Sequence, residues 1–172
     1  PNDGLDEGEI LLQKEVVVGP DDTLGTIYFQ KIFPLGIEAA LEAIDLVRSG
    51  NPPRVQQDES QATYESWCKH KHAEIDWSQS VSEVHNLIRG TNPQPGAWTT
   101  HESNVLKIYD CTKVEASGAP GEVVEISEQG FTIAANGGGI LVQRVRPHDA
   151  KKISAAEFVS KYSLASGVLL GG

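Results

Sequence analysis

From Ala97 to Val145 the chain alternates short apolar runs with turns, and this cadence constrains the fold more than any other feature. Five runs, Ala97–Thr100, Val105–Cys111, Glu122–Ser127, Phe131–Ala135 and Ile140–Val145, are separated by Gly, Ser, Asn or Pro. Short strands at such spacing predict a small β-barrel. The Asn136-Gly137-Gly138-Gly139 stretch lies between two of these runs with no helix after it. It reads as a hairpin turn and not as a phosphate cradle. Upstream, Ser80-Val81-Ser82-Glu83 fits a capping box, in which Glu83 reaches back to the Ser80 amide. Val81, Val84, Leu87 and Ile88 form the apolar stripe of that helix, and Gly90 ends it. Trp77 belongs to the core, Arg89 suits the helix C-terminus, and His85 reads as a partly buried polar residue. Ser154-Ala155-Ala156-Glu157 opens a last short helix bearing Phe158, Val159 and Tyr162.

The first third of the chain has another grammar. Asp6 sits in a loop flanked by Gly4 and Gly8, residues that allow backbone conformations and ligand approach a side chain would block. Ile10 to Val18 then reads as a strand of about eight or nine residues ending at Gly19-Pro20. Asp21, Asp22 and Thr23 supply N-cap chemistry for a helix. Leu24, Ile27, Tyr28 and Ile32 recur at helical spacing, Pro34 and Gly36 predict a kink or break, and Ile37, Leu41, Ile44 and Val47 resume the period up to Gly50. That stripe is expected to cover one face of the sheet containing the Ile10–Val18 strand. From Asn51-Pro52-Pro53 to about Ala73 the composition is polar, as in an interdomain linker, with Tyr64 and Trp67 tacking it to the surface.

A formal net charge of −10 disfavours a role that depends on gripping phosphates. Arg54, Lys69, Lys71, His70 and His72 form a diluted basic cluster; Arg144, Arg146, His148, Lys151 and Lys152 form a denser one. Both are compatible with ordinary solvated surface, and the second with one edge of a binding face. Cys68 and Cys111 are far apart and lack metal-ligand spacing, so free thiols in a reducing compartment are expected. His70 and His72 have no third ligand nearby. No apolar run approaches the ~20 residues of a membrane span, and nothing reads as a signal peptide; the expected location is the cytoplasm.

Two blocks carry a resemblance. "DGLDEGEILLQKE" with "PDDTLGTIY", and later "AEIDWSQSVSEVHNLIRGTNPQPGAWT", resemble the formyltetrahydrofolate-dependent formyltransferase family. That family includes methionyl-tRNA formyltransferases and the hydrolase domain of formyltetrahydrofolate dehydrogenase. The family's usual loop carries Asp-Thr-Gly-Asp where this chain has Asp6-Glu7-Gly8-Glu9. Asp6 and Gly8 hold, while Glu7 places a charge beside Asp6.

The resemblance implies a fold of α/β plus β class. Residues 1–50 would be the C-terminal end of a Rossmann-like catalytic domain, 51–73 a linker, and 74–172 a small open barrel of the oligonucleotide-binding type. It implies 10-formyltetrahydrofolate as formyl-donor substrate, no metal, and Asp6 as one member of a catalytic Asn-His-Asp set. The Asn and His would lie upstream of Pro1, so the chain alone is expected to be inactive. The backbone of Asp3, Gly4 and Leu5 would border the pterin. Water or methionyl-tRNA are the acceptors implied, with tRNA disfavoured by the acidic charge. Two alternatives stand beside this: an RNA-binding barrel using Phe131 and Tyr109 for stacking, and a structural appendage without activity of its own.

Overall fold

The computed structural model of the chain describes residues 6–171. They form two compact units that divide between Trp67 and Cys68.

The first unit is one helical rod with extended chain around it. Helix α1, Leu24–Thr26, begins at a Thr23 cap and passes through a π-helical stretch, Ile27–Ile32, into α2, Phe33–Arg48. Of the kink or break expected at Pro34, the break does not occur. In the widened turn before it, the Phe33 amide donates to the Tyr28 carbonyl five residues back. Pro34 then enters at the start of the α-helical run, where its missing N–H costs least. Lys31 and Asp22 form an ion pair at the rod's beginning, and Lys14 and Glu42 another at 2.7 Å.

The expected Ile10–Val18 strand is not formed among the described residues. Only Ile10 pairs, in an isolated antiparallel bridge with Val55, and Val17 is 84% exposed. A strand requires a partner to satisfy its ladder, and the described chain offers one at Val55 alone. The helix stripe is likewise exposed: Tyr28, Ile32, Ile37, Leu41, Ile44 and Val47 cover no sheet among the described residues. Tyr64 and Trp67, expected to anchor the linker, are 90% and 88% exposed.

The second unit holds two antiparallel four-stranded sheets. The strands are β1 Ala97–His101, β2 Asn104–Ile108, β3 Cys111–Val114, β4 Val123–Ser127, β5 Gly130–Ala135, β6 Gly138–Val142, β7 Arg144–Pro147 and β8 Ile153–Ser154. One sheet has the order β1-β2-β7-β8 and the other β3-β6-β5-β4. Two of the five expected runs are therefore pairs of strands that change sheet midway. The turning points meet: the Asp110 carbonyl accepts from the amides of Gln143 (2.8 Å) and Arg144 (3.3 Å), and the Tyr109 amide donates to the Arg144 carbonyl (3.0 Å).

The core lies between the sheets and two helices, α3 Val81–Gly90 and α4 Ala155–Tyr162. Every residue of β5 is buried. Phe131 meets Phe158 of α4 with ring centroids 6.1 Å apart, and Val84 and Ile88 of α3 join the same apolar cluster. Trp77 is buried as expected, its indole donating to Thr99 Oγ1 at 3.1 Å. Residues 73–75 add to β1 as a parallel edge: the Ile75 amide donates to Trp98 and the Trp98 amide to Ala73, both at 2.8 Å.

The capping box forms as its spacing predicts. The Glu83 amide donates to Ser80 Oγ at 3.3 Å and the Ser80 amide to Glu83 Oε2 at 3.0 Å. The Ser80 hydroxyl and then its amide hold the Glu83 carboxyl below its ordinary value. A carboxyl depressed in the folded state contributes stability above its unfolded pKa and loses it as pH falls through the folded value. Replacing Ser80 by Ala is expected to cost about 1 kcal/mol at neutral pH. The gap to the parent protein should narrow below about pH 4; urea midpoints of the two proteins at pH 7 and pH 3 measure it.

Candidate functional site

Asp6 stands in the left-handed region, φ 58°, which Asp tolerates better than most residues. It is exposed. Its loop is braced by one side chain: Gln57 Nε2 donates to the carbonyls of Asp6 and Gly8, both at 2.7 Å. Arg54 pairs with Glu9 at 3.2 Å, and the Ile10–Val55 bridge closes the base, its two backbone bonds at 2.9 and 3.0 Å. A Cβ built on Gly8 would touch nothing within 4 Å, so the space beside the loop is open. Residues 54–57, read from sequence as linker, are thus the buttress of the Asp6 loop. Nothing in their composition announced this, because the pairing spans a long stretch of chain. Asp3, Gly4 and Leu5, expected to border a pterin, lie outside the described residues.

The basic residues sort differently from their sequence clusters. Arg54 is engaged with Glu9, and the His70 ring stacks on Trp98 at 4.7 Å. The denser set gathers on the β1-β2-β7-β8 sheet and gains a member that sequence reasoning missed. The register places Lys107 of β2 opposite Arg146 of β7 and, on its other side, opposite Trp98 of β1. Lys107 Nζ donates to the Pro95 carbonyl at 2.7 Å and Arg146 Nε to the Ala150 carbonyl at 3.0 Å. Burial, and then the neighbouring Arg146 charge, lower the Lys107 pKa. Arg144 is paired with Asp110 at 2.9 Å, and Lys152 lies 3.4 Å over the Tyr109 ring.

The aromatics proposed for base stacking are not available. Phe131 is 0% exposed and Tyr109 3%; Phe131 is drawn inward on β5, and Tyr109 is buried at the corner between β2 and β3. Cys68 is exposed and Cys111 half-buried, and both are free. Burial, with the Asp110 charge second, pushes the Cys111 thiol up to about 12, so it is protonated and unreactive at neutral pH. No group of three or more His, Cys, Asp or Glu able to hold a metal occurs among the described residues. No helix there is long and apolar enough to cross a membrane.

Comparison with known proteins identifies the fold. The profile described as "Formyl transferase, C-terminal domain" matches residues 68–163. The human mitochondrial 10-formyltetrahydrofolate dehydrogenase is 39% identical over 92% of the chain, which spans 18% of that protein. A methionyl-tRNA formyltransferase from Geotalea daltonii is 33% identical over 98% of the chain, which spans 54% of it. The chain thus spans about half the length of its formyltransferase relatives and under a fifth of the dehydrogenases. Among solved structures, HypX from Aquifex aeolicus in complex with tetrahydrofolic acid superposes with a TM-score of 0.77 at 18% identity, over 96% of this chain and 29% of that one. The N-formyltransferase from Helicobacter canadensis gives 0.57 at 20% identity, over 89% of this chain and 53% of that one. On a match covering more than half its length and on these relatives, the chain belongs to the formyltransferase family and carries that family's C-terminal domain.

Proposed function

We propose that this chain is the C-terminal portion of an enzyme that removes the formyl group of 10-formyltetrahydrofolate and passes it to water or to methionyl-tRNA. The observation that carries the reading is that relatives of both kinds align over more than nine-tenths of the chain. Residues 1–50 complete the catalytic domain, 51–73 connect it, and 74–172 form an open barrel of the oligonucleotide-binding type. The exposed apolar side of α2 is the surface on which the rest of the catalytic domain packs. The protein works in the cytoplasm.

Asp6 belongs to the catalytic centre, with the backbone of Asp3, Gly4 and Leu5 bordering the pterin. Its exposure and the Gln57 brace support the assignment: a carboxylate fixed through its own backbone is held ready for a partner it does not meet within this segment. There it orients a histidine supplied by the preceding part of the enzyme. It also assists a proton to N10 as the formyl carbon leaves that nitrogen for the nucleophile. No metal takes part in this scheme. Between acceptors, the formal charge of −10 favours water.

In the full-length enzyme, Asp6→Ala is expected to lower formyl release roughly hundredfold or more with an unchanged melting temperature. Turnover near the parent level would remove Asp6 from the mechanism. Measuring formate and formyl-methionyl-tRNA side by side separates the two acceptors.

A further inference from the structure

Among the described residues, the side chain that holds Asp6 is itself held from both directions. Gln57 Nε2 donates to the Asp6 and Gly8 carbonyls, both at 2.7 Å. Two carbonyl oxygens at that distance call for a nitrogen with two N–H donors, which fixes the orientation of the carboxamide. Two residues before Gln57, Val55 is anchored by its bridge to Ile10. One residue after it, Asp58 caps a short 3-10 turn, Glu59–Gln61. The Asp58 carboxylate accepts from the Ser60 hydroxyl (2.6 Å), Gln61 Nε2 (2.7 Å) and the Ser60 amide (3.0 Å). These bonds, the Ser60 hydroxyl first, hold the Asp58 carboxyl below its ordinary value, so the cap is ionised and in place at neutral pH. Gln57 itself is half-buried.

The other two ties to this loop stop short of Asp6. The Arg54–Glu9 pair joins two exposed side chains, a kind of contact that contributes little, and the bridge to Val55 holds Ile10. Asp6 stands at φ 58°, a conformation that costs energy in a residue with a Cβ. Gly8 adds backbone freedom two residues on, and the space beside it is open. The backbone angles of Asp6 set the direction of its Cα–Cβ bond, so any relaxation of the loop swings the carboxylate. The Gln57 clamp acts on the backbone carbonyls alone. It aims the carboxylate without occupying the carboxylate oxygens.

We infer that Gln57 is a positioning residue of the formyl-transfer centre, acting through Asp6, and that residues 55–61 belong functionally to the catalytic loop and not to a passive connection. The inference rests on the reading that Asp6 is catalytic and adds the group that keeps it aimed. Proton transfer at N10 depends on the carboxylate lying within hydrogen-bond reach of its partner. A displacement of about 1 Å at such a group costs on the order of a hundredfold in rate. Gln57 touches neither the reacting atoms nor the carboxylate, so its effect on the reaction passes through the geometry of Asp6.

The test is a double-mutant cycle in the full-length enzyme with 10-formyltetrahydrofolate, read as release of tetrahydrofolate, the product common to both acceptors. Gln57→Ala is expected to lower kcat roughly tenfold or more, with a smaller change in KM and an unchanged melting temperature. Gln57→Glu keeps the shape of the side chain but sets a carboxylate against the two carbonyls, and should lower kcat at least as far. Asp6→Asn removes the charge in a residue that still tolerates the left-handed conformation, and should lower kcat roughly a hundredfold. Adding Gln57→Ala to Asp6→Asn should then cost nothing further, because the group that Gln57 aims is gone. Parent-like kcat in both Gln57 variants, with Asp6→Asn slow, overturns the positioning role and leaves that of Asp6 standing. Losses that multiply in the double variant also overturn it, making Gln57 a support of the fold alone. Parent-like turnover in Asp6→Asn overturns the reading of Asp6, and the role of Gln57 with it.

Discussion

Gly130→Ala is expected to unfold the second unit. Gly130 opens β5 with φ 142°, and a Cβ built on it would lie 2.0 Å from the Val142 carbonyl oxygen and 2.9 Å from the Ala155 Cβ. The first neighbour is backbone of the adjacent strand β6, and the second is the first residue of α4. Neither is the far end of a flexible chain. Relief would require separating β5 from β6, the centre of the second sheet, or lifting α4 from the core. The conformation is also one that L-residues rarely adopt. A cost of more than about 4 kcal/mol is expected, a large share of the stability of a domain this size. Loss of the cooperative urea transition, or its shift to a far lower midpoint, measures the effect. A shift of a few tenths of a molar would show that the strand can be displaced cheaply.

Phe158→Ala should be the next most damaging change. The ring is one of the largest fully buried side chains and the hub of an aromatic chain, touching Phe131 at 6.1 Å, Tyr162 at 4.7 Å and His101 at 5.5 Å. Removing it leaves a void between α4 and β5 that the close-packed Phe131 and Ile133 cannot fill. Such truncations cost about 3–5 kcal/mol. Because Phe158 also walls a cavity shared with His101 and Leu106, that void would merge with an existing one and collapse poorly, placing the cost at the upper end. Phe158→Leu, which keeps most of the volume, should recover most of the loss. Denaturation midpoints of the three proteins decide it.

What could be read in the sequence follows from range. The α3 capping box, the α4 cap at Ser154, and the hairpin at Asn136–Gly139 depend on residues within four positions of each other, and each was legible. The sheet change within Val105–Cys111 was not. Its residues form one unbroken apolar run, and only the distant Gln143 and Arg144 amides reveal that the chain turns at Asp110. Lys107 gained its meaning from Arg146, and residues 54–57 gained theirs from the Asp6 loop; both are long-range pairings. Phe131 and Tyr109 looked like candidates for stacking because composition does not say which aromatic side chains the fold covers. The Ile10–Val18 run fails for the converse reason: strand propensity needs a neighbour, and among the described residues only Val55 supplies one.

The meeting of the two corners has a kinetic consequence. Asp110 accepts from Gln143 and Arg144, and between these points lie β3, β4, β5 and β6, the whole of the second sheet. The hairpins β4–β5 and β5–β6 join neighbours in the chain, so they close small loops and can form early. β7 can dock on β2 only after the intervening sheet has brought Gln143 back to Asp110. The first sheet is thus completed last, by its most non-local pairing. Mutations at β7 should therefore act on the unfolding rate and leave the folding rate nearly unchanged, whereas those in the β5–β6 hairpin should slow folding itself.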